Sequence, residues 1–169
     1  VHQLMRKGAI NLTEDEYKEG ISCKTAMLFE AACRVSAIIA DATEKQESAL
    51  AEYGYNLGIA FQMADDLFDY TLQTSEFGKE VGADLREGKL TLPVIYALQQ
   101  ARSGDRDLMV KIIQDPDFSD SDFKLLTDLL EKYGGLDYTQ KTAASYIDTA
   151  KKALAVFDAS PTKETMLDI

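Results

Sequence analysis

The sequence predicts an all-α fold, on three observations. The first proline is Pro93, the stretch ahead of it is rich in Ala, Glu, Lys, Leu and Met, and no alternating strand pattern of useful length occurs. Thr13 before Glu14, Asp15 and Glu16 reads as an N-cap with an acidic first turn. Tyr17, Ile21, Leu28, Phe29, Ala32, Val35, Ile38 and Ile39 then recur at helical spacing and predict a helix over 13–40. Thr43 and Gln46 have capping-box spacing and open a second long helix to residue 72. Residues 73–90, with Gly78, Gly82 and Gly88 among charged residues, read as a polar loop. A helix over 90–101 tolerates Pro93 in its first turn. Ser103-Gly104-Asp105 reads as a turn, 108–113 as a short helix, and 119–133 as an amphipathic helix stopped by Gly134-Gly135. Residues 136–157 repeat the helical pattern, and a final helix starts after Pro161.

The composition narrows the function classes. The 169 residues fit one domain or a large piece of one. With 18 basic and 29 acidic residues the net charge is −11, which argues against nucleic acid or an anionic membrane as a partner. The apolar share of 46% supports a packed core. The longest apolar stretch, Thr25 to Ala40, is broken by Glu30 and Arg34 and falls short of the ~18 residues of a membrane span. Cys23 and Cys33 are too few for a disulfide framework, and on one helix they would lie about 15 Å apart, beyond disulfide reach. The lone His2 cannot build a zinc set and is a poor candidate for a hydrolase triad.

The chemistry concentrates in 56–70. On a helical wheel with Phe61 at zero, Asp65 falls at about 40°, Asp69 at about 80°, Gln62 at about 100° and Asp66 at about 140°. Leu57, Ala60, Ala64, Leu67 and Phe68 make most of the remaining circumference apolar, and Gly58 leaves space above the polar wedge. Clustered carboxylates on a buried-looking helix are costly without a partner. Oxygen-only ligands on one face suit Mg²⁺, which keeps waters and combines one or two carboxylates with substrate phosphates. A solvated acidic face is the plain alternative.

Such an ion needs phosphate anchors elsewhere. Lys24 shares a stripe with Leu28, Ala31 and Val35, and reads either as a phosphate anchor or as a lysine snorkelling from a core edge. Gly78-Lys79 and Gly88-Lys89-Leu90-Thr91 combine glycines that admit phosphate with lysines that bind it. Taken alone such loops are ordinary; together with Lys24-Thr25 and the wedge they suggest a metal-diphosphate site in a helical cavity.

In this order the segments resemble those of the trans-polyprenyl diphosphate synthase family. Phe61-Gln62-Met63-Ala64-Asp65-Asp66-Leu67-Phe68-Asp69 is similar to its second aspartate-rich motif, FQxxDDxxD, and Lys24-Thr25 to its KT pair. Gly78 to Asp84 resembles GKxxGxD, Gly88 to Pro93 resembles GKxTxP, and Tyr133-Gly134-Gly135 with Tyr138-Thr139 resembles YGGxxYT. The likeness is greatest to bacterial long-chain members of the octaprenyl kind. Asp65-Asp66 is the only adjacent aspartate pair, so the family's first such motif lies outside this sequence.

The resemblance implies an all-α bundle of the isoprenoid (class I terpenoid) synthase type, with 1–169 as the C-terminal half of a single domain and inactive alone. It implies an Mg²⁺-dependent enzyme that adds isopentenyl diphosphate to an allylic diphosphate, cytoplasmic and homodimeric, with a product such as a quinone side chain. Asp65 would bind Mg²⁺ directly, with Asp66 and Asp69 supporting the ion or its waters. Lys24, Lys79 and Lys89 would hold the allylic diphosphate, Thr25 and Gln62 would orient oxygens near the cationic carbons, and Asp84 would fix its loop. A non-catalytic partner subunit and a class I terpene cyclase are the competing expectations.

Overall fold

The computed structural model describes residues 10–71 and 82–169. Every regular element among the described residues is helical: α1 Glu14–Ile21, α2 Met27–Ile39, α3 Glu44–Thr71, α4 Ala83–Arg86, α5 Leu92–Gln100, α6 Ser103–Gln114, α7 Asp120–Lys132, α8 Gly135–Ala153 and α9 Pro161–Asp168. A π turn, Ser22–Ala26, runs from α1 into α2, and a 3-10 turn, Leu154–Val156, follows α8. The chain forms two compact units, Val1–Gly20 with Met63–Lys141, and Ile21–Gln62 with Thr142–Ile169.

In the first unit, α5, α6 and α7 supply a core of Leu92, Val94, Met109, Leu126 and Leu130, all essentially inaccessible. Ser119 and Asp122 cap α7 reciprocally, as Thr13 and Glu16 cap α1. Gly134 turns with φ +72, and Gly135 then passes so close to α5 that a Cβ would clash with the Pro93 carbonyl oxygen. The Tyr133–Thr139 stretch is structural: the Tyr133 hydroxyl donates to Asp105, and Thr139, fully buried, donates to the Gly135 carbonyl.

In the second unit, α3 crosses the π turn and α2 at backbone distance. A Cβ at Gly54 would lie 2.5 Å from the Phe29 carbonyl oxygen, and one at Gly58 would lie 2.7 Å from Ala26 Cα. The space expected at Gly58 is therefore filled by Ala26 and Phe29, which corrects the sequence reading. Behind α3, Tyr53, Ala150 and Leu154 form a buried cluster packed by Leu50, Leu57, Phe157 and Met166.

Three boundaries differ from the sequence reading. The helix expected over 13–40 carries the π turn at Lys24-Thr25, whose extra residue turns the following helix by about 100° relative to a straight α-helix. Ile21 is therefore buried while Leu28 is 69% exposed and Val35 is exposed too, so the stripe that carries Lys24 is an open face. The Ser103-Gly104-Asp105 turn is the first turn of α6. Within the expected 73–90 loop, 83–86 close one helical turn after Gly82 at φ +75.

Gly54→Ala should lower stability to urea: overpacking costs about 1–3 kcal/mol, more than the ~1 kcal/mol that alanine gains in a helix. Gly20→Ala, where nothing lies within 4 Å of the added carbon, should instead raise stability by up to about 1 kcal/mol. Equal signs for the two variants would contradict the close crossing of α2 and α3.

Candidate active site

In the first unit the last two turns of α3 carry Asp65, Asp66 and Asp69, and the three carboxylates meet different surroundings. Asp65 is exposed. Asp66 is 4% exposed, and the Tyr17 hydroxyl from α1 donates to its Oδ2 at 2.6 Å. Burial first, and the Asp66 charge next, push the Tyr17 phenol far above the ordinary tyrosine range, so it stays a neutral donor. Asp69 accepts from two backbone N–H groups at the start of α4, from Ala83 at 3.0 Å and from Asp84 at 3.2 Å. Burial, followed by the neighbouring Asp84 charge, raises its pKa against those two hydrogen bonds and the Lys89 charge.

Asp69 therefore ties α3 to the segment that carries Lys89. Gly82 permits this, since a Cβ there would strike the Phe123 ring at 2.5 Å, and Tyr70 stacks on the same ring at 5.9 Å between centroids. Tyr70 is buried and shares a 2.8 Å hydrogen bond with Thr91. The Lys89 ammonium lies 3.0 Å from Asp84 and 2.6 Å from Glu87. Burial opposes its charge, but the hydrogen bonds it donates to Glu87 and Asp84 outweigh burial and raise its pKa. Asp84 links Lys89 to Asp69: its carboxylate pairs with Lys89 and its N–H donates to Asp69.

In the second unit the Thr25 hydroxyl donates to Gln62 Oε1 at 2.9 Å, and Gln62 is 4% exposed. The close approach at Gly58, one turn earlier on α3, sets that distance. Lys24, beside Thr25 in the π turn, is exposed and makes no ion pair among the described residues. Phe61 is 56% exposed, and its ring packs on Phe29 at 5.6 Å. The carboxylate wedge is thus graded, with Asp65 on the open side of α3 and Asp66 turned inward. Lys79 and Gly78, like His2, lie outside the described residues.

The sequence reading counted Tyr17 in the helical periodicity of 13–40 and missed its contact with Asp66. The available signal was reciprocal: a buried tyrosine hydroxyl needs an acceptor, and a buried carboxylate needs a donor.

A divalent cation fits this donor set. Asp65 and Asp66 offer only hard oxygens, with no competing sulfur or nitrogen among the expected ligands, as Mg²⁺ prefers. Among the described residues no group of three or more His, Cys, Asp or Glu gathers to hold an ion alone. The set therefore suits an ion that completes its shell with water and phosphate oxygens.

The helical fold is that of the class I terpenoid synthases. The chain belongs to the polyprenyl synthetase family, which it matches over residues 1–133. It is 37% identical over its whole length to octaprenyl diphosphate synthase of Escherichia coli, of which it covers 52%. It is 35% identical over 93% of its length to the short chain isoprenyl diphosphate synthase of Methanothermobacter thermautotrophicus, covering 48% of that protein. A polyprenyl synthase from Caulobacter crescentus, solved with calcium and isoprenyl diphosphate, superposes over 99% of this chain and 51% of its own with a TM-score of 0.92 at 40% identity. A decaprenyl diphosphate synthase from Rhodobacter capsulatus matches over 99% of this chain and 51% of its own, with a TM-score of 0.89 at 42% identity. The chain spans about half the length of the curated relatives it matches.

Asp69→Ala should speed amide hydrogen exchange at Ala83 and Asp84 about tenfold or more, since a hydrogen bond to a charged acceptor is worth about 1.5–3 kcal/mol. Unchanged exchange there would show that Asp69 does not hold α4.

Proposed function

We propose that this chain is the C-terminal half of a prenyl-chain-elongating transferase that condenses isopentenyl diphosphate with an allylic diphosphate. The observation that carries the reading is the aspartate segment of α3, with Asp65 exposed and Asp66 buried against Tyr17, in a chain of the polyprenyl synthetase family. The allylic C–O bond breaks and its electron pair leaves with the diphosphate. The double bond of isopentenyl diphosphate forms a new C–C bond to the allylic carbon, and loss of a proton restores a double bond. A Mg²⁺ ion, when bound, supplies Lewis-acid neutralisation of the leaving diphosphate.

Within this reading Asp65 is the direct ligand, and Asp66 and Asp69 support it from the same helix. Lys24 and Lys79 supply ammonium donors to the allylic diphosphate. Lys89 joins them by exchanging Glu87 for a phosphate oxygen, a change that costs little because an exposed ion pair is worth about 0–1 kcal/mol. Thr25 and Gln62 present oxygens toward cationic carbons, in an orientation set by their own hydrogen bond. A long all-trans product is supported by the 42% identity to the Rhodobacter capsulatus decaprenyl enzyme. A homodimer belongs to the same proposal, on the family likeness. Among the described residues no helix is long and apolar enough to cross a membrane, and the proposed location is the cytoplasm.

Asp65→Asn, in the protein as the cell makes it, should lower kcat for condensation by about 10²–10³, the scale of losing one electrostatic stabiliser of a transition state. Residues 1–169 expressed alone should show no condensation. Undiminished turnover by the Asn variant, measured with labelled isopentenyl diphosphate, would refute the metal assignment.

A further inference from the structure

We infer that Tyr17 is a positioning residue for the Asp66 carboxylate, holding it where it supports a divalent cation bound at Asp65; the role rests on the metal-diphosphate reading above. Tyr17 is 5% exposed, and its hydroxyl meets Asp66 Oδ2 at 2.6 Å, the length of a charge-assisted O–H···O⁻ bond. The donor is neutral, so this hydrogen bond fixes the carboxylate without itself supplying a counter-charge. Outer donors to metal-binding carboxylates serve in this way.

The hydroxyl is itself held by a rigid support. The Thr13–Glu16 capping box fixes the start of α1, and the Tyr17 N–H donates to the Thr13 carbonyl at 3.0 Å. Glu14 accepts from the Tyr138 hydroxyl at 3.0 Å on each carboxylate oxygen and pairs with Lys18 at 2.7 Å. Tyr138 in turn stacks on Tyr96 with 4.0 Å between centroids. The first turns of α8, through Glu14, therefore locate α1, and α1 locates the Asp66 side chain one residue from Asp65.

The test measures Mn²⁺ binding by electron paramagnetic resonance, with inorganic diphosphate present, on the protein as the cell makes it. Tyr17→Phe keeps the ring and removes only the donor. It should weaken Mn²⁺ binding about tenfold and leave the circular dichroism spectrum unchanged. Thr139→Val removes another buried hydroxyl of the same unit and should bind Mn²⁺ like the wild type. In an Asp66→Asn background the Tyr17→Phe change should alter affinity less than twofold, because a positioning role needs the carboxylate. Wild-type affinity in Tyr17→Phe, the same loss in both backgrounds, or failure of Tyr17→Phe to fold would each overturn the inference. Asp65→Asn separates the two levels. If it abolishes Mn²⁺ binding while Tyr17→Phe does not, only the Tyr17 role fails; if it binds Mn²⁺ normally, the metal reading fails too.

Discussion

Asp66 is a carboxylate almost wholly withdrawn from water near the end of a 28-residue helix. An unpaired charge there would cost several kcal/mol or force the group to bind a proton. The Tyr17 hydroxyl offsets part of that cost without neutralising the charge. Other features follow from the same helix end. Asp69, one turn from Asp65, clamps the backbone that leads to Lys89, and Tyr70 closes the core beneath it through Thr91 and Phe123. The last two turns of α3 thus present oxygen donors while tying down the segment that follows.

The upstream part of α3 meets a different constraint. Gly54 and Gly58 bring its backbone against Phe29 and Ala26, a distance that any side chain would prevent. That approach brings Thr25 to Gln62, and it requires the π turn to be packed at this position. π turns of this kind concentrate at functional sites, and this one holds Lys24 and Thr25. The cost of the glycines in helix propensity is about 1 kcal/mol each, consistent with selection for contact over local stability.

The all-α class and the long α3 were legible because Thr13, Thr43 and Ser119 mark helix starts and helical periodicity runs between them. Lys24-Thr25 and the FQxxDDxxD segment were legible as types and spacings. Their environments were not. A single inserted residue in the π turn rotates α2, and no periodicity count reveals such an insertion, so the Leu28 stripe read as covered when it is open. Gly58 read as space above the wedge, because sequence does not show that the π turn and α2 occupy it. Tyr17 and Asp66 are 49 residues apart, a pairing that only the folded chain displays.

The most direct measurement is a crystal structure of the protein as the cell makes it, with Mg²⁺ and an uncleavable thiolo analogue of an allylic diphosphate. The expected result is a Mg²⁺ ion held at Asp65, with the diphosphate beside it and the Tyr17–Asp66 hydrogen bond intact. A diphosphate seated away from α3, or a metal bound without Asp65, would contradict the assignment of this helix as the metal-bearing wall.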